Sequence, residues 1–128
     1  MISSLMHCII AQGLARRLCP HCCVTDEREE TAQLLAMLPK EKIAGKTPMR
    51  ASESGCTQCY GTGYRGRFLV YEILKFNREL RQRIVEKQSL AKIASTIPFE
   101  ERITGRLLQL VAGGKTSLEE AYRLVEEF

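Results

Sequence analysis

Two cysteine pairs of the CxxC type constrain this chain more than any other feature of its sequence. Cys19 and Cys22 lie in CPHC, and Cys56 and Cys59 lie in CTQC. A turn of this kind can place two thiolates on one edge of a tetrahedron, and structural zinc takes four such ligands. We therefore predict one structural Zn²⁺ per chain, bound by Cys19, Cys22, Cys56 and Cys59.

The first pair leaves one alternative open. Cys23 directly follows Cys22 in CPHCC, and zinc ligands occur at spacings of two to four residues, so Cys23 is the alternative to Cys22. We favour Cys22 because it repeats the spacing of the second pair. Cys8 and Cys23 are interpreted as thiols without a ligand role, since free cysteines commonly behave as small hydrophobic residues.

The segment between the two pairs predicts an inserted helix. It runs from residue 23 to residue 55, and is longer than the usual gap of about 15–20 residues in such sites. Asp26 and Glu29 have the spacing of a capping box, and the apolar residues after them stop before Pro39. A helix over this stretch would absorb the additional length.

Hydrophobic patterning predicts an α+β fold, with a four-cysteine zinc knuckle pair and short strands followed by a small helical bundle. Residues 3–18 have helical spacing, and Pro20 ends that pattern. Residues 67–74, RFLVYEIL, are a β-branched and aromatic run typical of a buried strand. A shorter strand is expected around residues 49–51.

Four helices are predicted in the remainder of the chain. They start near Asn77, Ser89, Ile103 and Ser117. The third ends at the glycine pair 113–114, because glycine is the usual residue after a helix C-terminus. Ser117 and Glu120 form a second capping-box pattern at the start of the last helix.

Composition and charge exclude several classes of protein. The 128 residues suit one domain of ordinary size, and no run of about 18 apolar residues predicts a membrane-spanning segment. Six cysteines without a secretory signal indicate a reducing compartment, where paired CxxC motifs favour metal over disulfides. The net charge of +4 is too small to indicate nucleic-acid binding by itself.

Two glycine-rich segments resemble nucleotide-binding loops without meeting their requirements. Residues 61–66, GTGYRG, fit GxGxxG, but a cysteine turn precedes them and a predicted strand follows, whereas the dinucleotide fingerprint opens a helix. Residues 113–116, GGKT, resemble the end of a Walker A loop, but Gln109 stands where its first glycine is needed. We expect neither ATP binding nor catalysis from this chain alone.

Two other functions remain as alternatives. The first is a stand-alone zinc-ribbon module that binds nucleic acid or a protein partner, and the second is a CxxC thiol oxidoreductase. An oxidoreductase needs one reactive pair beside a βαβ pattern, which this sequence lacks. A concentration of arginines could bind phosphate or an acidic partner, although such runs are commonly only a solvated surface. It consists of Arg65, Arg67, Arg78, Arg81 and Arg83.

Three segments together resemble a known family. AQGLARRLCPHC, GCTQCYGTGYRGRFLVYEIL and AGGKTSLEEAYRLV are similar, in this order, to the C-terminal region of the type II secretion and type IV pilus assembly ATPases, the general secretory pathway protein E family. Gly13 and Leu69 depart from its pattern, which has Arg and Gly there. The resemblance implies that Cys19, Cys22, Cys56 and Cys59 are zinc ligands.

The same resemblance implies a cellular setting. Family members are hexameric ATPases that act in the bacterial cytoplasm, peripherally at the inner membrane, where they power pseudopilus or pilus assembly through membrane platform proteins. Their Walker A, Asp, Walker B and His boxes lie upstream of this region, so ATP and Mg²⁺ would be cofactors only of the full-length protein. The expected partners are the rest of the ATPase, neighbouring subunits of the hexamer and the platform proteins, and no nucleic acid is expected.

The resemblance also suggests a division of the chain. Residues 1–18 would be a helix continuing from a missing ATPase core, and residues 19–75 a four-cysteine zinc-binding subdomain with an inserted helix. Residues 76–128 would form a helical C-terminal subdomain. We expect the chain to be a piece of a longer ATPase that braces the motor and offers a docking surface.

Overall fold

Short antiparallel strands and helices build the chain, as the predicted α+β class requires. The structure, a computed structural model, describes residues 8–75, 78, 82, 86 and 97–127. The strands are β1 (Cys8–Leu18), β2 (Val24–Thr25), β3 (Met49–Arg50) and β4 (Tyr64–Lys75). The helices are α1 (Glu29–Leu35), α2 (Lys40–Ile43), α3 (Ile103–Ala112) and α4 (Leu118–Glu127). Two single 3₁₀ turns lie at Thr57–Cys59 and Phe99–Glu101.

The ribbon of β1 and β4 is the longest paired element in the described part of the chain. The two strands are antiparallel, with Gly13 opposite Val70 and Leu14 opposite Leu69. Side chains alternate between the two faces of a strand, so Val70 is buried while Leu14 and Leu69 are exposed. The predicted strand at residues 67–74 is confirmed as the central part of β4, but only one of its faces is covered.

The helix predicted over residues 3–18 is wrong in its described part, because residues 8–18 form strand β1. The segment is so rich in apolar residues that alternating and helical spacings both fit it. Pairing along β4, a contact between residues far apart in the sequence, decides between them. Gly13, a poor helix residue, lies inside this strand. Residues 3–7 of the predicted helix lie outside the described residues.

A second, shorter pair of strands closes the inserted segment. Val24 pairs with Arg50 and Thr25 with Met49, so β2 and β3 bring the chain back after the insertion. The predicted strand at residues 49–51 is therefore confirmed, and so is the inserted helix, which is α1. The capping box predicted for Asp26 is wrong. Arg28 precedes the helix and forms no side-chain cap, while the Asp26 carboxylate accepts bonds from Arg28 and Thr31.

One hydrophobic core joins the ribbon, the inserted helix and the C-terminal helices. It includes Ala15 and Val70 from the ribbon, Leu35 and Leu38 from the inserted segment, and Leu107, Leu108, Val111 and Leu124 from α3 and α4. Helix α3 lies on the covered face of the ribbon, and the backbone N–H of Ile103 at its start donates to the Glu72 carboxylate at 2.9 Å. Residues on both sides of the two cysteine turns therefore bury one another.

The predicted end of α3 at the glycine pair is confirmed. Gly113 caps the helix, and Gly114 has φ of +71° and lies so close to β3 that an added Cβ would be 2.8 Å from Met49 Cγ. The helices predicted near Asn77 and Ser89 fall almost entirely outside the described residues. Within the described part of the chain, no helix combines the length and the apolar character that crossing a membrane requires.

Candidate metal centre

Pairing of β1 with β4 brings the two cysteine turns together. Cys19 is the first residue after β1, and residues 60–63 join the turn at Thr57–Cys59 to β4. Leu18 and Tyr64 are partners in the ribbon, so the end of one strand and the start of the other lie side by side. The Cys19 N–H donates to the Gly63 carbonyl at 2.9 Å and extends this contact into the turns.

The four predicted cysteines converge on one point. The Sγ–Sγ distance is 3.6 Å for Cys19 and Cys56, 3.8 Å for Cys22 and Cys59, and 3.8 Å for Cys56 and Cys59. All four sulfurs lie within 4.8 Å of one another. The group is therefore placed so that it could hold a single metal ion.

The sulfur spacing distinguishes a metal site from disulfides. A disulfide needs its sulfurs at about 2.05 Å, far closer than any of these pairs. A tetrahedral ion with bonds of about 2.3 Å to sulfur sets neighbouring ligands about 3.8 Å apart. The observed separations match this edge length, and all four thiols are free.

The second turn directs backbone donors at one sulfur. The N–H groups of Cys56 and Gly63 each donate to Cys59 Sγ at 3.2 Å. Gly63 reaches this position with φ of +84°, and an added Cβ would lie 2.9 Å from the Ala51 Cβ. Tyr60 also has positive φ, at +57°, so the chain turns sharply after the last cysteine.

The contacts around the sulfurs give Cys59 and Cys22 different pKa values. Burial opposes ionisation of Cys59, but the N–H groups of Cys56 and Gly63 outweigh it and lower its pKa to about 6. A Ser52 bond favours the Cys22 thiolate, but burial and the three neighbouring sulfurs raise its pKa to about 12. The cluster does not release all its protons easily, so a metal that binds it would have to displace them.

The remaining candidate side chains lie apart from the cluster. Cys8 is exposed on β1, and His21 is exposed between Cys19 and Cys22. Among the described residues, the group able to hold a metal includes Cys22 and not Cys23. The Cys23 N–H instead donates to the Cys19 carbonyl at 3.1 Å and closes the first turn.

A family model for type II/IV secretion system proteins matches residues 1–123. The chain belongs to this family. The resemblance found in the three sequence segments is thereby confirmed.

Curated relatives within the family agree with this assignment. The type IV pilus assembly ATPase PilB of Myxococcus xanthus is 34% identical over 94% of this chain and 21% of its own length. PilB of Pseudomonas aeruginosa is 34% identical over 98% of this chain and 22% of its own length. Type II secretion system protein E of Pseudomonas aeruginosa is 35% identical over 99% of this chain and 25% of its own length. The chain thus spans only about a fifth to a quarter of these relatives.

The glycine-rich segment in this secretion-family chain belongs to the cysteine turn. Residues 61–66 lead from that turn into β4, whereas the dinucleotide fingerprint opens a helix. Gly61 and Gly63 have positive φ and turn the chain between the last cysteine and the strand, and Gly66, also at positive φ, lies within β4. The GGKT segment lies between α3 and α4, where it ends one helix and precedes the next.

Sequence reasoning missed how the turn between α3 and α4 fixes the cysteine site. The Leu18 N–H donates to the Lys115 carbonyl at 2.9 Å, and the Thr116 hydroxyl donates to the Arg16 carbonyl at 2.7 Å. The Tyr64 hydroxyl lies 2.6 Å from Ser117 Oγ. The segment just before the first cysteine is therefore attached to the C-terminal helices, a contact that no local motif indicates.

A buried carboxylate completes this attachment. Glu120 on α4 has a fully buried side chain, accepts the Arg16 backbone N–H at 2.6 Å, and bonds to the Arg123 guanidinium at 2.7 and 2.8 Å. Half of the predicted capping box is formed, since the Glu120 N–H donates to Ser117 Oγ at 3.1 Å. The Glu120 side chain itself is engaged by β1 instead of the cap.

Proposed function

We propose that this chain is the zinc-binding C-terminal region of a secretion or pilus assembly ATPase. One structural Zn²⁺ would be held by Cys19, Cys22, Cys56 and Cys59. The observation that carries the proposal is the separation of their sulfurs, 3.6 to 3.8 Å for three pairs, which suits a tetrahedral thiolate site. Tetrahedral sulfur sites select zinc or iron. Zinc has no redox chemistry, so it is the better choice for a structural role.

The proposed role of the ion is to brace the region. Bound zinc would tie the end of β1 to the start of β4, at the point where the inserted segment leaves the ribbon and returns to it. A closed site of four cysteines has no open position for substrate, so the metal would contribute folding energy and no chemistry of its own. ATP hydrolysis would belong to the rest of the family polypeptide, with ATP and Mg²⁺ as its cofactors.

We also carry the cellular setting of the family to this chain as part of the proposal. The region would work within an ATPase hexamer, in contact with the rest of its own polypeptide and with neighbouring subunits. It would act peripherally at the bacterial inner membrane, beside the platform proteins of the secretion or pilus system. Support comes from relatives whose names state secretion or pilus assembly.

Metal analysis of the purified chain tests the site. We expect one zinc per chain by plasma mass spectrometry, and cobalt substitution should give the intense visible bands of a tetrahedral thiolate site. Cys56→Ser should lose the metal, while the matched variant Cys8→Ser should keep it, because Cys8 lies on the strand outside the cluster. Iron in place of zinc, or metal retained in Cys56→Ser, would contradict the proposal.

A chimera tests the role. This chain would replace the matching part of the Pseudomonas aeruginosa pilus assembly ATPase, to which it is 34% identical over 98% of its length. We expect the chimera to hydrolyse ATP and assemble pili, and its Cys56→Ser form to lose both. If the Cys56→Ser chimera remains fully active, the cysteine site does not brace the motor.

A further inference from the structure

Four arginines occupy the end of the ribbon nearest the cysteine turns. Arg16 and Arg67 stand opposite each other in the strand pair, and Arg17 and Arg65 flank them along the two strands. All four are exposed. We call this group the arginine end of the ribbon.

Only one member of the arginine end is neutralised by a carboxylate among the described residues. Arg16 contacts Glu120 at 3.2 Å. Arg65 bonds to the neutral Gln58 amide oxygen at 3.3 Å, and Arg17 lies 5.9 Å from the centre of the Phe68 ring. No acidic partner of Arg17, Arg65 or Arg67 is found in the described part of the chain.

The ribbon itself supplies no compensating charge to its open face. Strand β1 contains no Asp or Glu, and the single acidic residue of β4 is Glu72. Its carboxylate is bonded to the start of α3 on the covered face. Glu120 already compensates Arg16, whereas Arg67 has no acidic partner in the described part of the chain, so the charge of Arg67 favours an anionic occupant.

An apolar pair adjoins the arginine end. Leu14 and Leu69 are partners two residues further along the strands, on the same face as Arg16 and Arg67, and they are 46% and 57% exposed. Side chains two residues apart on a strand are separated by about 7 Å. An occupant that suits both features presents a carboxylate and an apolar side chain about 7 Å apart on one face.

The aromatic side chains of this ribbon are already engaged by the chain's own arginines. Arg16 lies 4.1 Å from the centre of the Tyr64 ring, and Arg106 lies 4.3 Å from that of Tyr71. Single-stranded nucleic acids bind through bases stacked on free aromatic rings. The open face of the ribbon therefore suits a protein better than a nucleic acid.

We propose that the arginine end and the Leu14–Leu69 pair form a docking surface for an acidic segment of a separate partner protein, in which carboxylates and apolar side chains lie two residues apart and so share one face of the extended segment. Residues 76–96 of this chain carry five basic and two acidic residues, so the charge of that segment does not suit the surface. This inference deepens the proposed docking role by naming the face and the chemistry of the partner.

Binding of a short synthetic peptide that repeats glutamate, serine, leucine and serine tests the surface, with fluorescence anisotropy on the full chain, because glutamate and leucine then share one face of the extended peptide. We expect this peptide to bind, with affinity that falls as salt is raised. Peptides in which lysine replaces the glutamate, or serine replaces the leucine, should bind at least tenfold more weakly. Binding of a single-stranded DNA oligonucleotide or of phosphatidylglycerol vesicles in preference to the peptide would overturn the proposal.

Two substitutions on the proposed surface, compared with a control elsewhere, locate the binding site. Arg67→Glu should weaken peptide binding at least tenfold, and Leu69→Ser should weaken it without changing the salt dependence. Arg50→Glu is the matched control, because Arg50 is also exposed but lies on β3, and it should leave binding unchanged. Equal losses in Arg67→Glu and Arg50→Glu would refute a defined surface. Metal content is measured on each variant, so failure of this inference is distinguishable from failure of the zinc site.

Discussion

Replacing Glu120 by glutamine should destabilise the chain more than the same substitution at its neighbour Glu119. Burial alone would raise the pKa of this carboxyl, but bonds from the Arg123 guanidinium and from Arg16 outweigh it. They lower the pKa from 4.5 to about 2. Such a difference corresponds to about 3 kcal/mol of folding free energy at neutral pH. Glutamine has nearly the same volume as glutamate but no charge. Its NH₂ group would stand where a carboxylate oxygen now accepts a bond from Arg16 or Arg123, so two donors would face each other.

Urea unfolding of the zinc-loaded chain measures the effect. At pH 7, Glu120→Gln should lower the unfolding free energy by about 2–4 kcal/mol, the free energy that corresponds to the lowered pKa of Glu120. The control is Glu119→Gln, one residue away. Glu119 is half exposed and pairs with Arg28, so its loss should cost less than about 1 kcal/mol.

The stability that the Glu120 charge contributes should depend on pH. A carboxyl with a lowered folded pKa contributes stability that is present above the unfolded pKa, near 4.5, and is lost as pH falls towards the folded value of about 2. The difference between the parent chain and Glu120→Gln should therefore shrink by about 2 kcal/mol between pH 6 and pH 3. A difference that stays constant with pH would mean that packing, and not charge, stabilises this position, and the reasoning would be wrong.

Three further predictions follow from the cysteine site and its surroundings. Cys22→Ser should lose bound metal and Cys23→Ser should keep it, and the metal content of the two purified variants decides between them. Isothermal titration with Mg-ATP should show no micromolar binding, because a phosphate-binding loop joins a strand to a helix and neither glycine-rich segment does so. Residues 61–66 lead into β4, and residues 113–116 lie between α3 and α4. Chelation should abolish amide hydrogen-exchange protection in residues 19–25 and 55–63 and leave it in α3, which packs on Val70 and Leu35; loss of protection in α3 would show that the metal organises the whole chain.

Local signals were sufficient for the features that depend on neighbouring residues. The CxxC spacing led to the four sulfurs that converge, the β-branched run led to β4, and the glycine pair led to the end of α3. The insertion between the cysteine pairs was also predictable, since Pro39 limits the helix inside it. Each of these features is encoded within a few residues of where it occurs.

Features that depend on distant partners could not be predicted in the same way. Strand β1 is extended because it pairs with β4, more than forty positions away in the sequence, and its apolar residues alone fit a helix equally well. Glu120 gave the pattern of a capping box, but its carboxylate is engaged by Arg16 from β1. In both cases a contact between remote residues overrides the local preference.

The inserted segment is attached to the C-terminal helix by charge as well as by the core. Thr31 and Arg28 donate to the buried Asp26 carboxylate at 2.8 and 2.9 Å, and bonds from Arg28 lower the Asp26 pKa to about 2. Arg28 also reaches Glu119 on α4, and the Tyr122 hydroxyl of that helix donates to Glu30 at 2.8 Å.

The zinc-binding subdomain and the helical subdomain are therefore in contact, and the proposed division concerns only how stable each part is. Leu35 and Leu38, from the segment between the cysteine pairs, share one core with α3, and the turn before α4 bonds to Leu18 beside the first cysteine. Packing of this kind couples the two parts even if their stabilities differ. Metal binding at the cysteines would then also stabilise the C-terminal helices. The effect would pass through Leu18, which bonds to the turn before α4, and Arg16, which bonds to Glu120.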